Sequence, residues 1–158
     1  MTEKKTRRQW IQQVLAEHRQ LEASIAALRG FLEQPRPAID DDGARNWSAR
    51  LSKDLVELHH LLVRHFRYEE DGGMMTDLSA KHPRAERWVD DLVAEHRDLL
   101  HDIRSITEAV MYYGEGRQPE NPAIRRRLNE LFDRLHAHDR TETELIQRLE
   151  YEELGSGE

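Results

Sequence analysis

The sequence predicts an all-α protein, an antiparallel up-down-up-down four-helix bundle, and three observations lead there. Apolar residues recur at alternating spacings of three and four, the rhythm of one face of an α-helix. Glycine- and proline-rich stretches break that rhythm at QPRPAIDDDG (34–43), at Gly72-Gly73 with His82-Pro83, and at GEGRQPENP (114–122). The hydrophobic fraction is only 37% against 35% charged residues, which suits narrow apolar stripes backed by charged outer faces.

Taken in order, the segments are helices at about 6–33, 47–71, 84–113 and 122–152, within one domain over 1–158. The first seam runs Ile11, Val14, Leu15, His18, Leu21, Ile25, Leu28, Leu32. The second runs Leu51, Leu55, Leu58, Leu62, His65, Glu69. The third runs Val89, Leu92, His96, Leu99, Ile103, Ile106, Val110. The fourth runs Ile124, Leu128, Leu131, Leu135, His138, Glu142, Leu145, Leu149. Short or moderate connections between such helices make the antiparallel bundle the economical arrangement.

Every seam carries one histidine where the rhythm calls for an apolar residue: His18, His65, His96 and His138. His59, His60, His101 and His136 fall off the seams, and His82 sits in a turn. With a rise of about 1.5 Å per residue, antiparallel packing brings the four seam histidines to one level, within roughly one helical turn. Two carboxylates join them, in His65-Phe-Arg-Tyr-Glu69 and His138-Asp-Arg-Thr-Glu142. A separation of four stacks both side chains on one helix face. The halves of the chain therefore form an approximate tandem repeat. LAEHR around His18 returns as VAEHR around His96, 78 residues on, and the second motif returns after 73.

Four imidazoles and two carboxylates in a bundle interior are costly unless something pairs them. Metal ions meet that need: imidazole suits iron, zinc and copper, and a carboxylate can bridge two ions. Six donors exceed one tetrahedral site and suit two ions bridged by Glu69 and Glu142, with open positions left over. Glu17 and Glu95 stand one position off their seams and are expected to be solvated. Glu22 follows His18 by four but lies on the flank. Glu57-x-x-His60 and Asp133-x-x-His136 read as surface pairs.

Other classes of function are disfavoured. No cysteine is present, which excludes disulfides, zinc ribbons and thiol catalysis. No apolar run approaches the eighteen or so residues of a membrane span, and MTEKKTRRQW lacks a signal-peptide core, so a soluble cytoplasmic protein is expected. A net charge of −7 argues against nucleic acid, and Arg125–Arg127 and the N-terminal Lys/Arg cluster read as solvated faces.

At these residues the chain resembles the hemerythrin-like family, the HHE cation-binding domain, from about residue 7 to residue 152. The carriers are Glu17-His18, His65-x-x-x-Glu69-Glu70, Glu95-His96 and His138-x-x-x-Glu142. The resemblance implies a bundle around two non-haem iron ions, Fe2+ or Fe3+, bridged by carboxylates and an oxo or hydroxo group. It implies binding or sensing of dioxygen, nitric oxide or peroxide. Oxygen-carrying members have a second histidine on the third helix, four residues from the first. Here Leu92 and Leu100 flank His96 at that spacing, leaving His82, His101 or Glu22 as candidates to complete the coordination. One histidine fewer favours redox chemistry or sensing over stable oxygen carriage. The family's Phe-Pro after the second helix is replaced by Asp71-Gly-Gly-Met74-Met75, whose methionines are expected to plug the bundle end. A di-iron oxidase or peroxidase and a metal-buffering bundle are the competing functions. Any signalling output is expected to pass through a separate protein partner.

Overall fold

In the computed structural model, residues 6–34, 41–115 and 122–156 are described. Their secondary structure is α1 (Arg7–Glu33), α2 (Asp41–Asp71), α3 (Met74–Lys81), a 3-10 turn (Pro83–Ala85), α4 (Glu86–Glu115) and α5 (Pro122–Ser156). The architecture is a bundle of four long helices, and among the described residues there is no strand. Helix α1 packs against α2 and α5, and α4 packs against α2 and α5, so the four enclose a common interior.

Local chemistry accounts for the helix ends. Thr6 and Gln9 form a capping box at the start of α1: the Thr6 hydroxyl accepts from the Gln9 N–H at 3.3 Å, and the Gln9 side chain accepts from the Thr6 N–H at 2.9 Å. Gln34 precedes a proline and is extended, which stops α1 there. Arg125 donates to the Leu32 carbonyl at 2.9 Å, supplying one of the last carbonyls of α1 with a partner. Arg127 donates to the Ser105 hydroxyl at 3.0 Å. The basic run therefore ties helices together along an exposed face.

Two expectations about the elements need correction. Helix α2 begins at Asp41, inside the stretch taken as a break, while positions 35–40 of that stretch lie outside the described residues. Trp47 stacks on Phe31 at 5.7 Å between ring centroids and Ser48 is buried, so the core extends one layer beyond Leu51 and draws the helix with it. The segment after α2 contains a helix of its own, α3, because Met74, Met75 and Leu78 share one apolar face and are all buried. The glycines separate α2 from α3. Gly73 adopts φ +90°, open to glycine at little cost, and a side chain at Gly72 would run into the Tyr68 carbonyl.

The interior consists of two apolar clusters. One holds Leu21, Ile25, Leu28, Leu55, Leu58, Leu62, Leu99, Ile103, Leu131 and Leu135, among others. The second holds Trp10, Ile11, Val14, Met74, Met75, Leu78, Val89, Leu92, Leu145, Ile146 and Leu149, with Ala85. The seams run through both, although the buried face is wider than a two-position seam. Trp10, Phe66, Phe132 and Ile146 are buried beside it, and Leu15 is only half-buried. Between the clusters, in chain position, fall His18, Glu69, His96, His138 and Glu142, with His65 at the edge of the first, beside Phe66.

Replacing Leu99, which has no exposed surface, with alanine is expected to lower the unfolding free energy by about 3 kcal/mol. Met111→Ala at an exposed position should stay within about 0.5 kcal/mol. Urea unfolding of the metal-free protein measures both.

Candidate metal centre

All six residues singled out on the seams are buried: His18 is 5% exposed, His65 2%, His96 and His138 1%, Glu142 1% and Glu69 0%. One layer of the bundle thus contains four imidazoles and two carboxyl groups and separates the apolar clusters. The imidazoles form two edge-to-face pairs, His18 with His65 at 4.9 Å between centroids and His96 with His138 at 4.8 Å. Phe66 lies against the second pair, stacked on His96 at 3.9 Å and edge-on to His138 at 5.5 Å.

The Nε2 atoms of all four histidines face the two carboxyl groups. His18 Nε2 lies 3.1 Å from Glu142 Oε2, His96 Nε2 3.0 Å from Glu142 Oε1, and His138 Nε2 2.6 Å from the same oxygen. His65 Nε2 adjoins Glu69 Oε1, four residues further along the same helix. Donor atoms converge in two sets, His18, His65, Glu69 and Glu142 in one and His96, His138 and Glu142 in the other, with each set spanning no more than 4.8 Å. Glu142 belongs to both. Glu69 belongs to the first.

Hydrogen bonding accounts for only part of this proximity: His18 Nε2 and His96 Nε2 each bond Glu142. His65 Nε2, His138 Nε2 and both Glu69 oxygens are buried and lack a hydrogen bond of usable geometry. Buried donors left without partners in this way are what a hydrogen-bonded core avoids and what a metal ion would satisfy. The donor set is nitrogen and oxygen without sulfur, which suits iron, zinc or manganese. This arrangement is compatible with cation binding.

The outward-facing Nδ1 atoms reveal a feature that the sequence reading missed. His65 Nδ1 donates to Glu17 of α1 at 2.7 Å, and His96 Nδ1 donates to Glu70 of α2 at 3.3 Å. His138 Nδ1 lies 3.3 Å from Glu95 of α4, and His18 Nδ1 bonds the Thr143 hydroxyl of α5 at 3.1 Å. Each partner sits one residue from a donor position on the preceding long helix, so the contacts run α1 to α2, α2 to α4, α4 to α5 and back to α1. Glu17, expected to be solvated, instead bonds an imidazole with a side chain 16% exposed, while Glu95, 39% exposed, approaches His138 Nδ1 without a hydrogen bond. The signal was present in the repeated Glu-His dipeptide and in Glu69-Glu70. A histidine that coordinates through Nε2 needs its Nδ1–H directed, and a carboxylate does this best.

Ionisation follows the same geometry. Burial pushes the Glu69 carboxyl well above the usual carboxylate range, and the neighbouring Glu142 carboxylate adds to the shift. Burial acts on Glu142 as well, but close contact with His138, His18 and His96 overcomes it and holds the group well below that range. Burial disfavours charge on His18 and His138, yet contact with Glu142 prevails and raises both. At His65 burial wins over the Glu17 contact and lowers the pKa.

The remaining candidates lie elsewhere. His101 is exposed, His82 caps the 3-10 turn, and neither belongs to a converging set. Glu22 pairs with His136 at 2.9 Å on the surface, and Asp133 with Arg29 at 2.6 Å. The two carboxylate-x-x-histidine look-alikes thus do not enter the buried layer: His60 and His136 are exposed.

Fold and donor layer together define a helical bundle with a buried histidine–glutamate layer compatible with cation binding. The model of the hemerythrin HHE cation-binding domain matches residues 10–149, and the chain belongs to that family. No curated protein and no solved structure matches it significantly. No helix among the described residues is long and apolar enough to cross a membrane.

Glu17→Gln keeps the shape of the His65 partner but removes its charge. It should weaken metal binding by about 10- to 100-fold without unfolding the bundle. Glu95→Gln, at the longer and more exposed contact, should cost less. Competition against a chromophoric chelator measures both.

Proposed function

We propose that this protein holds two non-haem iron ions in the buried layer and uses them to bind or sense dioxygen or a related small molecule, nitric oxide or peroxide. The observation that carries the reading is Glu142, shared between two donor sets that each contain a pair of imidazoles. In this reading His18 and His65 are terminal ligands of one ion and His96 and His138 of the other. Glu142 bridges, and Glu69 completes the first position and extends toward the second.

When bound, iron with an oxo or hydroxo bridge supplies the redox chemistry that side chains cannot perform. The protein's own contribution is to aim Nε2 atoms inward, to direct each Nδ1, and to keep the layer dry between two apolar clusters. Two imidazoles per ion, with no further histidine in either set, leave coordination positions for a small ligand. That balance favours sensing or redox chemistry over stable carriage of oxygen.

The antiparallel up-down-up-down course belongs to the same proposal. Contacts between neighbouring helices run in opposite residue order: Trp10 with Tyr68, Glu17 with His65 and Phe31 with Trp47; Glu95 with His138, Asp102 with Arg134 and Ser105 with Arg127; His18 with Glu142 and Arg29 with Asp133. Such order supports adjacent helices running in opposite directions. A cysteine-free chain suits the reducing cytoplasm, where a separate protein partner would read the state of the iron.

Anaerobic loading with ferrous iron followed by exposure to air should give about two irons per chain and near-ultraviolet bridge bands. The double variant Glu69→Gln with Glu142→Gln should lose both. If it retained full iron and an unchanged spectrum, these residues would not bridge. One zinc per chain and no affinity for iron would point to a structural or buffering bundle instead.

A further inference from the structure

A groove of about 560 Å³ opens between α1 and α5, and His18 of the buried layer forms part of its lining. Asp139 lines it too. This residue is only 5% exposed, its Oδ2 has no hydrogen-bond partner, and its Oδ1 lies 4.0 Å from His18 Nε2. It belongs to neither converging donor set, so the cation site described above leaves it unused. A buried carboxyl with a free oxygen, beside a site that requires cations, calls for an explanation of its own.

We propose that this groove is the port through which a divalent cation reaches the buried layer, and that Asp139 is the carboxylate that takes the ion from solvent and passes it to His18 and Glu142. The proposal rests on the cation-binding reading of the layer. Glu69 and Glu142 have side chains 0% and 1% exposed, so a hydrated ion cannot meet them directly. A hard cation sheds water stepwise as oxygen ligands replace it, and an oxygen donor between solvent and the imidazoles provides that step. Asp139 stands three residues before Glu142 on α5, a spacing that makes them neighbours on one helix face.

Two further observations favour this side of the bundle. His18, the seam histidine facing the groove, has a neutral hydroxyl, that of Thr143, as its Nδ1 partner. Glu22 and Glu144 also line the groove. Glu144 is paired there with Arg140 at 3.1 Å and Glu22 with His136 at 2.9 Å, so these contacts offset one another and Arg19 lines the groove with Asp139 as the remaining charge. A second groove, beside the 3-10 turn, carries Lys81, Arg84 and Arg148 and includes no donor of the layer.

The test is stopped-flow uptake of cobalt(II) by the metal-free full-length chain, with bound cobalt counted at completion. Asp139→Asn should take up the same final cobalt as the unaltered chain, about tenfold more slowly, because a carboxylate in a cleft concentrates cations by that order. Leu15→Trp, which narrows the groove and leaves the carboxylate in place, should also slow uptake, and Asp133→Asn on the exposed face should not. Unchanged rates in Asp139→Asn or in Leu15→Trp would overturn the port. Loss of bound cobalt in Asp139→Asn would overturn it differently, by making Asp139 a resident ligand. Failure of the unaltered chain to bind cobalt would instead remove the cation-binding reading beneath it.

Discussion

Six donor groups occupy one layer of an otherwise apolar interior, and their electrostatics constrain the rest of the molecule. The Glu69 side chain has no exposed surface and that of Glu142 only 1%. Charges buried this deeply cost several kcal/mol each unless compensated. Without a cation, protons fill the role: burial and the adjacent Glu142 keep Glu69 toward its neutral form, while Glu142 stays ionised against three imidazoles. A cation bound there would replace that compromise with direct ligation and would couple metal binding to stability. The apolar clusters on either side exclude water and keep both alternatives confined to the layer.

Rigidity of the layer comes from contacts between helices. Each imidazole projects from one long helix and faces a residue of the preceding one, adjacent in sequence to that helix's own donor; His65, His96 and His18 are hydrogen-bonded to theirs. The two functions of a helix, presenting a donor and holding its neighbour's, therefore occupy consecutive residues: Glu17-His18, Glu69-Glu70, Glu95-His96 and Glu142-Thr143. The last pair ends in threonine, so between α5 and α1 the steadying group is a neutral hydroxyl. The groove and Asp139 lie on that same side.

Much of this was legible in the sequence, for identifiable reasons. Histidines interrupting apolar seams are conspicuous because the rhythm around them is strict, and the four-residue spacing to Glu69 and Glu142 has a direct meaning on a helix. Periodicity was less informative about residues just beside the seam. Glu17 was read as solvated because a one-residue offset turns a side chain about 100° from the seam, which here aims it at His65 of a neighbouring helix rather than at water. Phe66 and Phe132 were missed because four packed helices bury a broader face than a two-position seam. Helix α3 was hidden behind two glycines that end α2 without preventing a new turn from Met74. Asp139 drew no notice beside His138, since only three-dimensional placement separates a buried carboxyl from one of many exposed acids.

Anomalous diffraction from crystals of the ferrous-loaded protein tests the central claim most directly. Two iron peaks about 3.5–4 Å apart, with the Glu142 carboxylate between them and an imidazole pair on each, are predicted. A single peak, or two ions held without Glu142, would contradict the account.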